Sequence, residues 1–81
     1  MKPDTDKIDE DVLALLFLTS FRQKKGMPAQ AWKGHDWDAM NRLHEKGMIL
    51  DPVSKAKSVV LTEQGEKRCE ELFRKHFSSS L

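Results

Sequence analysis

The sequence predicts an α+β domain of three helices with one β-hairpin in its C-terminal half. Three observations carry that prediction. Residues 37–46 repeat apolar side chains at helical spacing behind an acid, Asp36, and stop at Gly47. Two short β-capable runs, Met48-Ile49-Leu50 and Val59-Val60-Leu61, flank a polar-leaning loop. Thr62 then opens an amphipathic run that reaches Phe77.

In chain order, residues 1–5 read as a flexible tail in which Pro3 discourages helix. Asp6 is the expected N-cap of a first helix over residues 8–22, with Asp9, Glu10 and Asp11 complementing the helix dipole. The middle of that helix, VLALLFL, is apolar around its whole circumference, whereas a surface helix shows a stripe. It is therefore expected to be buried on more than one side. Val12, Leu13, Leu15, Leu16 and Leu18 are the candidate interface of a homodimer, because a small domain has little else to cover them with.

Gly26 is expected to close the first helix. Pro28 then opens a helical turn through Ala29, Gln30 and Ala31, a shortened second helix. Trp32 and Trp37 are expected to pack on the two sides of the corner between them. In the helix over residues 37–46, Trp37, Met40, Leu43 and His44 face inward. Asp38, Asn41, Arg42, Glu45 and Lys46 face water, with Asp38 and Arg42 at ion-pair spacing. A glycine at Gly47 takes the left-handed conformation that ends a helix. The last helix, residues 63–77, buries a stripe of Cys69, Leu72, Phe73, His76 and Phe77, and pairs Glu70 with Arg74 and Glu71 with Lys75. Residues 78–81 form a second flexible tail on a single domain spanning residues 1–81.

Helix, glycine, hairpin and capped helix follow in the order of a winged-helix domain from its recognition helix onward. In that frame the partner is double-stranded DNA. Asn41 and Arg42 are residue types that read adenine and guanine edges, and Lys46 adds charge beside them. Lys55 and Lys57 in the wing would lie on phosphate, with Lys24, Lys25 and Lys33 as supporting charge. The alternative is a non-enzymatic protein-interaction or dimerisation module that keeps the fold without a DNA surface. Charge placement favours the alternative. Only residues 22–35 are strongly basic, with four cations and no acid, and the net charge is +1.

Other classes are set aside on chemistry. The longest apolar run has seven residues, against the roughly 20 needed to span a bilayer, so no membrane is expected. The start of the chain carries no signal-peptide pattern, and the single Cys69 suits a reducing cytoplasm. There is no HExxH, CxxC or phosphate-cradling glycine loop, and His35, His44 and His76 lack zinc spacing with Cys69. His76 stands two turns from Cys69, too far for a nucleophile pair. No enzymatic activity, cofactor, metal or small-molecule substrate is expected.

The run AWKGHDWDAMNRLHEKGMILDPVSKAKSVVLTEQG, with IDEDVLALLFLT before it, resembles a family of small bacterial proteins catalogued as a domain of unknown function. That resemblance implies a family core of Trp-Lys-Gly, Asp-Trp-Asp-Ala and Leu-His-Glu-Lys-Gly, and no activity. More distantly, residues 43–49 and 61–65 are similar to the "L-x-E-x-G-L-I … L-T-x-x-G" punctuation of MarR- and PadR-type regulators, which implies a winged-helix fold.

Overall fold

A computed structural model describes residues 1–53 and 56–79. The order of elements is α1 (Thr5–Leu18), β1 (Gln30–Trp32), α2 (Trp37–Glu45), β2 (Ser58–Val60) and α3 (Glu63–Phe77). Three helices and a two-stranded antiparallel sheet make an α+β arrangement compatible with a winged-helix-like fold. The molecule is flat, 41 × 36 × 19 Å, with α1 in its centre. That helix makes its most extensive contact with α3 and also packs against α2 and β1.

Helix α1 starts and stops earlier than its sequence suggests. Asp4, not Asp6, is the N-cap, its carboxylate accepting from Lys7 N at 3.1 Å, so Thr5 belongs to the helix and not to the tail. The helix ends at Leu18 because the next residues find other partners. The Ser20 hydroxyl donates to Phe17 O at 2.7 Å, and Phe21 exchanges two backbone hydrogen bonds with Gln30, at 2.7 and 2.8 Å. Gly26 therefore caps no helix. Its φ of 89° serves the turn closed by Met27 N on Lys24 O.

The expected helical turn at residues 28–31 is corrected to a strand. Gln30, Ala31 and Trp32 pair with Val60, Val59 and Ser58, and Leu61 N continues the ladder onto Ala29 O at 2.9 Å. Non-local pairing overrides the local preference of an Ala-Gln-Ala segment. The hairpin between residues 48–50 and 59–61 is present as one bridge, Ile49 opposite Leu61, with Leu50 N donating to Val60 O at 2.9 Å.

The α2 and α3 boundaries follow the sequence closely. Asp36 caps α2 by accepting from Ala39 N at 3.1 Å. Gly47 (φ 79°) ends it in a Schellman motif, with Met48 N on Leu43 O and Gly47 N on His44 O, both at 3.0 Å. Thr62 caps α3 through Gly65 N at 2.9 Å, while its hydroxyl donates to Gly47 O at 2.7 Å. Gly65 lets α3 settle against this turn, since a Cβ there would lie 1.8 Å from Met48 O.

The core joins Leu13, Leu16, Met40, Leu43, Ile49, Leu61, Cys69 and Leu72. The inward face of α2 is Ala39, Met40 and Leu43; Trp37 and His44, expected inside, are exposed. Trp32 and Trp37 keep 53% and 48% of their surface in water, so the corner between them is not a tryptophan-packed one. Only four residues separate β1 from α2, whose fully buried side chains are Ala39 and Met40. On α3, Phe73 packs against the core and Phe17 (ring centroids 5.1 Å apart), while Phe77 is exposed at the helix end.

Candidate functional site

The residues proposed to contact DNA fall into separate groups. Arg42 and Lys46 come together, but around a carboxylate. Asp9, on α1, is 1% exposed. Arg42 Nε lies 2.9 Å from both of its oxygens and Nη2 lies 2.8 Å from Oδ1. Lys46 Nζ donates to Asp9 Oδ2 at 2.8 Å and to Asp6 Oδ1 at 3.3 Å. Arg42 thus turns to Asp9, away from the expected pairing with Asp38. Burial pushes the Asp9 carboxyl up, but hydrogen bonds and charge from Arg42 and Lys46 outweigh this and hold it below its ordinary value. The same contacts raise the Arg42 and Lys46 pKa values. Both cations are neutralised where they stand, leaving Asp38 and Glu45 exposed on α2 beside a half-buried Asn41.

Lys33 and Lys57 are brought together beyond one end of β1, where Lys33 N donates to Lys57 O at 3.2 Å and Lys33 Nζ to Pro52 O at 2.7 Å. Lys24 and Lys25 are exposed in the loop beyond the other end, which the Phe21–Gln30 bridge closes. Lys55 lies outside the described residues.

The candidate dimer residues also divide. Val12, Leu13 and Leu16 are covered by the chain's own core. Leu15 and Leu18 point outward, with Leu18 65% exposed. Three of the five are covered within one chain because α2, α3 and β1 pack against α1, and the other two are left to solvent.

The outer face of the sheet has no counterpart among the expectations drawn from the sequence. Alternation places Ala31 and Val59 inward. Gln30, Trp32, Ser58 and Val60 then face outward, and the bridges add Phe21 beside Gln30 and Leu50 beside Val60. Trp32 and Leu50 are each 53% exposed there. The Ser58 hydroxyl donates to Gln30 Oε1 at 2.9 Å, satisfying the polar pair within this face. The signal was available in principle: an alternating Gln-Ala-Trp opposite Ser-Val-Val, once the pairing is known.

Two other features carry less. A cleft of about 280 Å³ between the helices is floored by Leu13, Leu43 and Leu72, with Asp9 and Lys46 at its wall already paired with each other. Cys69 is buried, and burial, aided by Glu66, pushes its thiol up to about 11, so it is no thiolate at neutral pH. Among the described residues no group of three or more His, Cys, Asp or Glu side chains converges as a metal site. No helix among them is long and apolar enough to cross a membrane.

Comparison with known proteins places the chain. A family model described as a domain of unknown function, DUF6429, matches residues 4–79. The chain is 54% identical over 78 residues to "Uncharacterized protein y4hR" of Sinorhizobium fredii (strain NBRC 101917 / NGR234), an alignment covering 96% of this chain and 99% of that protein. No solved structure matches the chain. The chain belongs to this family of unknown function.

Proposed function

We propose that this family member is a non-enzymatic interaction module that meets its partner through the outer face of its sheet, not through α2. The observation that carries the reading is that face, where Trp32 and Leu50 stand half in water and Phe21 lies at the edge, partly exposed and bordering Cys69 and Glu66 of α3. Half-exposed aromatic side chains grouped on a rigid element are the usual anchors of binding surfaces.

The use of α2 as a duplex-reading helix is disfavoured by the capture of Arg42 and Lys46 on Asp9. Freeing both cations for the duplex would strand a buried carboxylate, and freeing one would leave it with a single partner. The residues behind the MarR- and PadR-type likeness serve the fold instead: Gly47 ends α2, Thr62 caps α3 and Gly65 admits the Met48 carbonyl. Titration of random-sequence duplex DNA at low salt tests the reading. Asn41→Glu, on α2, is expected to leave any duplex binding unchanged. Its loss in that variant would restore α2 as the contact helix.

A further inference from the structure

We propose that the outer sheet face binds single-stranded nucleic acid, stacking bases on Phe21 and Trp32 and holding the backbone with lysines beyond each end of the strands. The proposal names the partner of the surface assigned above and rests on that reading.

The pairing sets the geometry. Phe21 stands opposite Gln30, and Trp32 lies two residues further along the same strand. The two are therefore diagonal neighbours on one face, on the order of 7 Å apart, within reach of successive unstacked bases. Gln30 and Ser58 lie between them as neutral polar groups, already bonded to each other. Lys24 and Lys25 are exposed beyond the Phe21 end, and Lys57, exposed, adjoins Ser58 at the other.

An uncharged aromatic floor between two cationic ends complements a polyanion that carries flat rings, and single-stranded nucleic acid is that ligand. A second copy of the chain fits less well. Any twofold pairing of the face with itself sets the lysines of one copy against those of the other, because both ends carry the same sign. Duplex DNA offers its phosphates but keeps its bases stacked away from the rings.

The test is fluorescence anisotropy with a dye-labelled oligothymidylate at low salt, with a duplex and poly-L-glutamate as comparison probes. A Trp37→Phe background leaves Trp32 as the sole tryptophan reporter. The oligothymidylate is expected to bind more tightly than the duplex and to quench Trp32. Trp32→Ala should weaken binding roughly 5- to 100-fold, with most of it restored by Trp32→Phe. Lys24→Gln with Lys25→Gln, in an exposed loop away from the core, should flatten the salt slope by about 1.4 units. Thermal melts establish that each variant is folded, and Phe21→Ala repeats the stacking test at the second ring.

Absence of oligothymidylate binding, or binding indifferent to both ring substitutions, overturns the proposal. Poly-L-glutamate binding with equal quenching of Trp32 also overturns it, while keeping the face as a site for acidic protein segments. A dimer lost on Trp32→Ala assigns the face to a second copy and overturns it likewise. A monomer that engages neither probe removes the surface reading itself.

Discussion

Asp9 and Arg42 stand 33 residues apart in the chain and meet in a forked ion pair, the guanidinium spanning both carboxylate oxygens. The pair fixes how α2 crosses α1, and Lys46 closes the carboxylate from one turn further along. Breaking the cluster from its buried side takes Arg42's partner away and leaves Lys46 with Asp6 alone. Both cations are partly exposed and can turn to water, which limits the loss. Asp9→Ala is expected to lower stability by about 2 kcal/mol, read from urea unfolding. An unchanged midpoint would show that the cluster contributes nothing net.

The same carboxylate gives a pH dependence of definite sign. Its folded pKa lies below the ordinary 3.8, so its contribution is fully present above that value and is lost as pH falls through the lower folded one. The urea midpoint of the wild type should therefore fall below about pH 4 more steeply than that of Asp9→Asn, which has no such proton to take up. Parallel curves for the two proteins would remove Asp9 as the source.

Gly65→Ala should be among the most damaging single substitutions. The added carbon would lie 1.8 Å from the Met48 carbonyl oxygen, a backbone atom that also accepts from Thr62. Either α3 shifts away or the Thr62 cap opens, at a cost of about 3 kcal/mol. Gly34→Ala is the control: nothing lies within 4 Å of its added carbon. Thermal melts of the two variants should differ by more than 10 °C, on the order of 4–8 °C per kcal/mol for a domain this small.

Trp37→Ala should cost no more than about 1 kcal/mol, because half of the indole is already in water. Leu43→Ala, on the same helix but 2% exposed, should cost about 3 kcal/mol. Equal losses at the two positions would mean that Trp37 is packed after all.

What was legible in the sequence was local. Asp36, Gly47 and Thr62 act on the backbone within a few residues of themselves, and each ends or starts its helix as expected. The α3 stripe read correctly through Cys69, Leu72 and Phe73 for the same reason. Asp9 was read as a complement to the helix dipole because its true partners lie 33 and 37 residues away. Residues 28–31 read as a helical turn because the strand partners of Gln30 and Ala31 follow 28 to 30 residues later. The tryptophans misled through size: large side chains tend to be core, yet here small Ala31 and Ala39 take the inside positions beside them.

The first helix of the chain finds its most extensive contact in the last. A ribosome making this protein exposes the VLALLFL run long before α3 exists to cover it, and β1 waits equally for β2. The core cannot be assembled piecewise during synthesis, so folding is one event that follows the arrival of the final helix. A truncated product ending at residue 62 should remain unfolded, with no helical signal beyond that of isolated segments, and be cleared by proteolysis while the full-length chain persists.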